Sequence, residues 1–215
     1  MRWLDPAVTY LGDLLSPLRC AACDTTLSQR ALLCPVCAST VIRWTLGGSP
    51  VAFGHYGGAL SSALLRLKYG NRPDLGPALG QLLRPVVLSQ LAPADIDLVV
   101  PVPVPFARLV ERGYNQAALI AGPLASALSA RLETRALARR DGSVKQAALN
   151  RRDRLKNLQG AFLLRDGRNL RGRRVLLVDD VSTTGATLDA CRALLQEGGA
   201  DVHTAVVART ESVGL

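Results

Sequence analysis

One stretch concentrates the residue types that do chemistry: Val175-Leu-Leu-Val-Asp179-Asp180-Val-Ser182-Thr183-Thr184-Gly185-Ala186-Thr187. Its parts suit two different ligand groups. The adjacent carboxylates Asp179 and Asp180 cannot bind a phosphate, but they suit sugar hydroxyls or a hard cation such as Mg²⁺. Residues 182–187 are the opposite. Ser182, Thr183, Thr184 and Thr187 offer hydroxyl donors, and Gly185 lets the backbone close on an anion. If this run opens a helix at Ala186, its backbone N–H groups and the helix dipole add partial positive charge. A phosphate on one side and a polyol on the other describe a ribose 5-phosphate.

A second constellation is Cys20-x-x-Cys23 with Cys34-x-x-Cys37. Two such knuckles at short separation suit a tetrahedral four-thiolate zinc site. The segment between them is too short for a hydrophobic core, so the metal would supply folding free energy. Such a site is closed and structural. Two disulfides are the competing reading, but no secretory signal supports an oxidising compartment. Cys191 falls inside a helical pattern and reads as a core residue.

These groups need elements to hold them. Val175 to Val178 is an unbroken apolar run, as in a parallel strand buried on both faces. The acidic pair then sits at its carboxyl end, where open α/β sheets place ligands. The helix pattern from Ala186 stops at Gly198-Gly199. Residues 96–100 read as a second buried strand, which runs into Pro101-Val-Pro-Val-Pro105 and a loop carrying Arg108, Arg112 and Gly113. Further strands are expected over 51–56 and 134–138. Helices are expected from Leu60 to Gly70, over 75–91 and over 116–132, and an N-terminal one after Asp5-Pro6. His55 and His203 fall in strand-like runs and read as structural.

Composition sets the outer limits. The 215 residues suffice for one α/β domain and a small module, with 48% hydrophobic content for a core. Leu46-Gly-Gly-Ser-Pro50 marks the boundary, giving a module over 1–48 and a larger domain over 49–215. No apolar run reaches membrane-spanning length, and no signal peptide is evident, so the expected location is cytoplasmic. The net charge of +9 is uneven: residues 131–174 hold 14 Lys and Arg against 4 Asp and Glu. That segment is either a solvated arginine face or a polyanion site. Within it, the polar run containing Ser143, Gln146 and Arg154 reads as a lid or a surface loop.

The acidic pair followed by Thr-Thr-Gly-x-Thr resembles the phosphoribosyl-pyrophosphate (PRPP) motif of type I phosphoribosyltransferases. A Walker B strand is the rival, but no G-x-x-x-x-G-K-[ST] accompanies it. The four-cysteine ribbon, Leu67-Lys68-Tyr69, Glu111-Arg112-Gly113-Tyr114-Asn115-Gln116, Gln146-x-x-Leu149 and Asn157-x-x-Gly160-Ala161-Phe162 extend the likeness over nearly the whole chain. Together they resemble the ComF family of bacterial phosphoribosyltransferase-like proteins. The resemblance implies a parallel sheet flanked by helices, and a glycosyltransferase acting on Mg²⁺-PRPP with loss of pyrophosphate. It implies that 182–187 hold the 5-phosphate, that Asp179 and Asp180 hold the ribose, and that Arg108, Arg112 and Gly113 hold pyrophosphate. It also implies a link to DNA uptake in competence, with a helicase and single-stranded DNA as partners. A non-catalytic DNA-binding adaptor on the same fold is the alternative. Ser143 stands where the family often has threonine. Thr183 stands where purine phosphoribosyltransferases place an aspartate, so the acceptor is open.

Overall fold

Four consecutive apolar residues bury completely only if helices cover both faces of their sheet. The computed structural model shows this arrangement; it describes residues 18–140, 160–165 and 170–210. The N-terminal helix expected after Asp5 and the lid residues Ser143, Gln146 and Arg154 lie outside the described residues.

In chain order the elements are α1 (Pro35–Ala38), β1 (Val51–His55), α2 (Gly58–Tyr69), α3 (Leu75–Leu88), β2 (Leu98–Pro101), α4 (Phe106–Arg112) and α5 (Gln116–Ala127). They continue as β3 (Arg131–Leu132), β4 (Leu137–Arg139), β5 (Phe162–Leu164), β6 (Arg174–Ser182), α6 (Ala186–Glu197) and β7 (Asp201–Arg209). Among the described residues, five strands form one parallel sheet in the order β1-β7-β6-β2-β3. β4 and β5 pair antiparallel as a separate ribbon, and the expected lid lies between them in the chain.

The two faces of the sheet bury different sets. α2, α3 and α5 cover Val99, Leu176, Val178 and Ala205. α6 and the β4–β5 ribbon cover Val100, Val175, Leu177 and Val206. β2 and β6 are neighbours, yet the helices that follow them lie on opposite faces. Their exits therefore diverge at the carboxyl edge of the sheet, the edge where ligands bind in such folds.

Four expectations shift. The strand bearing the acidic pair does not end there; it runs to Ser182, because β7 continues the ladder through Asp179↔Val206 and Ser182↔Arg209. The segment with Arg108 and Arg112 is not a loop but helix α4, which starts after Pro105 and ends at Gly113 in the left-handed region (φ 78°). The helix expected over 116–132 stops at Ala127. Its apolar tail re-enters the sheet as β3, since the outer edge of β2 needs partners: Arg131 N–H donates to the Asp97 carbonyl and Glu133 N–H to the Val99 carbonyl. The strand expected over 134–138 moves to Leu137–Arg139, where β5 pairs with it.

Candidate functional site

The chain leaves β6 at Ser182 and enters α6 at Ala186 through Gly185, whose φ of 80° is reached without strain only by glycine. A helix start leaves its first N–H groups without intrahelical acceptors. Ala186 N–H reaches only the Thr184 hydroxyl, at 3.4 Å, and the amides of Thr183, Thr184 and Gly185 donate to no described residue. Recesses of about 40 Å³ and about 160 Å³ lie against this loop. The larger is also lined by Arg209, Arg192 and Asp189; the last two pair at 2.8 Å, which leaves Arg209 as the cation open to an anion there. A roomier hollow of about 390 Å³ lies under the cysteine-bearing segment, lined by Leu32, Leu33, Val41, Phe53 and Leu82. It is apolar and remote from these groups.

Strand alternation separates the two aspartates. Asp180 points toward α2, where Lys68 Nζ lies 2.6 Å from Oδ2, with only 4% of the carboxylate side chain exposed. Asp179 lies on the other side, near Cys191. Burial pushes its carboxyl well above the usual carboxylate range, and the neighbouring Asp180 charge adds to this. Its Oδ1 accepts the Asp180 N–H at 2.8 Å. The pair does not converge on one point, and among the described residues only the four N-terminal cysteines gather as a metal-ligand cluster. The carboxylates therefore do not fit a Mg²⁺ site held by protein alone.

The second candidate segment is self-satisfied. Arg108 pairs with Glu111 at 2.6 Å. Arg112 donates to Gln116 Oε1 at 2.9 Å and lies over the Tyr69 ring. The Gly113 N–H, expected to face a ligand, instead closes α4 on the Leu109 carbonyl at 2.8 Å.

At the N-terminus the Sγ atoms of Cys20, Cys23, Cys34 and Cys37 all lie within 4.8 Å of one another, and none is in a disulfide. Cys23 and Cys34 Sγ are 3.8 Å apart, the edge length of a tetrahedron with metal–sulfur bonds near 2.3 Å. The Cys34 N–H donates to Cys20 Sγ at 3.3 Å, which suits a thiolate. These residues fit zinc. The ribbon is tied to α2 and the turn after it by Asp24, which pairs with Arg66 at 2.9 Å and Arg72 at 3.3 Å.

Comparison with known proteins agrees with this layout. Residues 114–213 match the family model described as a phosphoribosyl transferase domain. The chain is 31% identical over 195 residues to DNA utilization protein YhgH of Escherichia coli, covering 89% of this chain and 84% of that protein. It is 33% identical over 186 residues to Competence protein F of Haemophilus influenzae, covering 85% and 80%. The chain belongs to the ComF family. Its fold is that of the type I phosphoribosyltransferases, a parallel sheet flanked by helices. A solved adenine phosphoribosyltransferase from Thermoanaerobacter pseudethanolicus superposes with a TM-score of 0.42 at 18% identity, over 69% of this chain and 74% of that one.

In this ComF protein several groups at the site escaped sequence reasoning. Lys68 sits at the end of α2, far in sequence from Asp180. Ser49 and Pro50, read as a boundary, line the larger recess with Thr204, Arg192 and Arg209. Only the parallel register of β1, β7 and β6 brings them there. Lys68 stood in the sequence only as part of the Leu67-Lys68-Tyr69 family likeness, with no role attached to it. No helix among the described residues is long and apolar enough to cross a membrane.

Proposed function

We propose that this chain binds PRPP at the carboxyl edge of the sheet, around the exit of β6, and transfers or releases its phosphoribosyl group with loss of pyrophosphate. The observation that carries the reading is the 182–187 loop, where the amides of Thr183, Thr184 and Gly185 donate to no described residue and two recesses lie against the chain, the larger also lined by Arg209. In this reading the loop takes the 5-phosphate, and Asp179, against the smaller recess, takes a ribose hydroxyl. Asp180, on the face toward α2, holds Lys68 for the incoming diphosphate. Arg108 and Arg112 exchange Glu111 and Gln116 for pyrophosphate oxygens, for which guanidinium forks are well shaped.

The C1–oxygen bond of PRPP breaks with its electron pair leaving on pyrophosphate, and a nitrogen nucleophile or water bonds to C1. Positioning and charge stabilisation supply the catalysis. Mg²⁺ would arrive on the diphosphate, since the carboxylates alone do not gather it. Zinc on the four thiolates would hold the ribbon folded. Closure of the 140–160 segment, with Ser143, Gln146 and Arg154, would exclude water. In this reading the activity serves DNA utilization or competence, the roles that the names of the relatives carry.

Calorimetry tests this. Mg²⁺-PRPP should bind the native chain, and Asp179→Asn with Asp180→Asn should abolish binding. Unchanged affinity in the double variant removes the mechanism.

A second reading is favoured by one observation: the arginine surplus of residues 131–174. It assigns the chain a single-stranded-DNA adaptor role beside a helicase. A steep log–log salt dependence of DNA binding, lost when Arg151, Arg152 and Arg154 become alanine, would support it. A flat dependence would remove it.

A further inference from the structure

The larger recess beside the 182–187 loop has a second wall, built from chain far from that loop. Arg209, in register with Ser182 on the adjacent strand, lines it together with Ser49 and Thr204. We propose that Arg209 is a phosphate-binding residue of this recess, held in place by Trp44 and Ser49, so that the segment joining the cysteine ribbon to β1 is part of the sugar-phosphate site. The inference rests on the PRPP reading and extends it to residues that the sequence pattern does not mark.

Four observations carry it. First, the Arg209 guanidinium lies 4.8 Å from the centroid of the Trp44 ring, and it donates to the Ser49 carbonyl at 3.4 Å. A ring face and a carbonyl orient a guanidinium without cancelling its charge. Second, the other arginine of the recess, Arg192, is paired with Asp189 at 2.8 Å. Arg209 has no such carboxylate partner among the described residues. Third, Trp44 is itself fixed. Its backbone N–H donates to the Phe53 carbonyl at 3.2 Å, its Nε1–H to the Gly47 carbonyl at 3.3 Å, and its ring packs 4.7 Å from that of His55. Fourth, the Ser49 and Thr204 hydroxyls are hydrogen-bonded to each other at 2.7 Å, which fastens the 46–50 turn to β7. Thr204 is 4% exposed, so this link lies beneath the recess.

One guanidinium has five N–H donors, and the Ser49 carbonyl uses one. The others remain for a phosphate in the recess that Arg209 shares with Thr183, Thr184 and Gly185. A dianionic phosphomonoester is the chemistry that suits a cradle of amides facing one uncompensated guanidinium.

The test is calorimetry of the full chain with ribose 5-phosphate, PRPP and pyrophosphate as separate probes. Losing a charge-assisted hydrogen bond to phosphate costs about tenfold or more in affinity. Arg209→Gln should therefore weaken ribose 5-phosphate and PRPP by the same factor and leave pyrophosphate unchanged. Trp44→Leu should weaken the same two ligands about threefold, by loosening the guanidinium, and Trp44→Phe should restore them. If Trp44→Leu unfolds the chain, the Arg209→Gln and Trp44→Phe results decide. Native affinity for ribose 5-phosphate in Arg209→Gln overturns the inference and leaves the PRPP reading standing. Failure of the unaltered chain to bind either sugar phosphate overturns both.

Discussion

The exits of β6 and β2 are neighbours at one edge of the same sheet, and they differ in what satisfies them. After β6 the backbone turns through Gly185, and its amides stay open toward a recess. After β2 the chain folds into α4, and the groups expected to meet pyrophosphate have protein partners instead: Arg108 with Glu111, Arg112 with Gln116, Gly113 N–H with Leu109. The first region would meet an anion without giving up any described protein partner. The other must trade internal partners for a ligand. In the proposed reaction, the end that anchors the substrate meets the rigid region and the departing end meets the exchangeable one. Such a division suits a site that must release pyrophosphate each turnover.

The largest test breaks the rigid side. Gly185→Val forces a β-branched residue into the left-handed region, with Asp189 Oδ2 only 3.4 Å from the new Cβ. Losing two or more charge-assisted bonds predicts about a hundredfold weaker PRPP binding by calorimetry. If affinity holds, the backbone cradle is not the anchor.

Lys68→Met probes the seam between the two exits. It leaves Asp180 buried without its cation, and breaking such a pair costs about 3–5 kcal/mol. Lys68 is partly exposed, which favours the lower end. Urea unfolding should show the loss, and Lys68→Arg should recover most of it.

Asp179→Asn sharpens the contrast through pH. Burial raises the Asp179 carboxyl well above its ordinary value of 3.8, so the folded chain keeps a proton that the unfolded chain releases. That contribution is full below pH 3.8 and is lost as pH rises through the folded value. Thermal melts of the native chain should therefore lose ground to the asparagine variant on going from acid to neutral pH. Parallel curves would contradict the assignment.

The smallest effect lies on the exchangeable side. Glu111→Gln releases Arg108 from an exposed pair worth less than about 1 kcal/mol, so PRPP affinity should rise about two- to threefold. A decrease would mean that Glu111 positions Arg108 for the ligand.

Much of the anion loop was legible because its signals are local. An apolar run, a glycine and a following helix pattern are all written within a few residues of one another, and the structure keeps their order. The four cysteines were equally legible, since ligand spacing alone limits where the sulfurs can meet. The arginine segment was misread as a loop because Pro101, Pro103 and Pro105 masked the short helix that starts after them. β3 was hidden inside an apparent helix, because two residues are too few to show a period.

From the sequence alone came a hydroxyl-rich loop offering donors to an anion, four cysteines at ligand spacing, and one strand buried on both faces. Those properties belong to residue types and short spacings. Tertiary structure decided the rest. Alternation along β6 sent Asp179 and Asp180 to opposite faces, the packing of α2 delivered Lys68 to one of them, and parallel pairing of β1, β7 and β6 brought Ser49, Thr204 and Arg209 beside the loop. Partners so far apart along the chain meet only when the sheet forms, and no local pattern encodes that meeting.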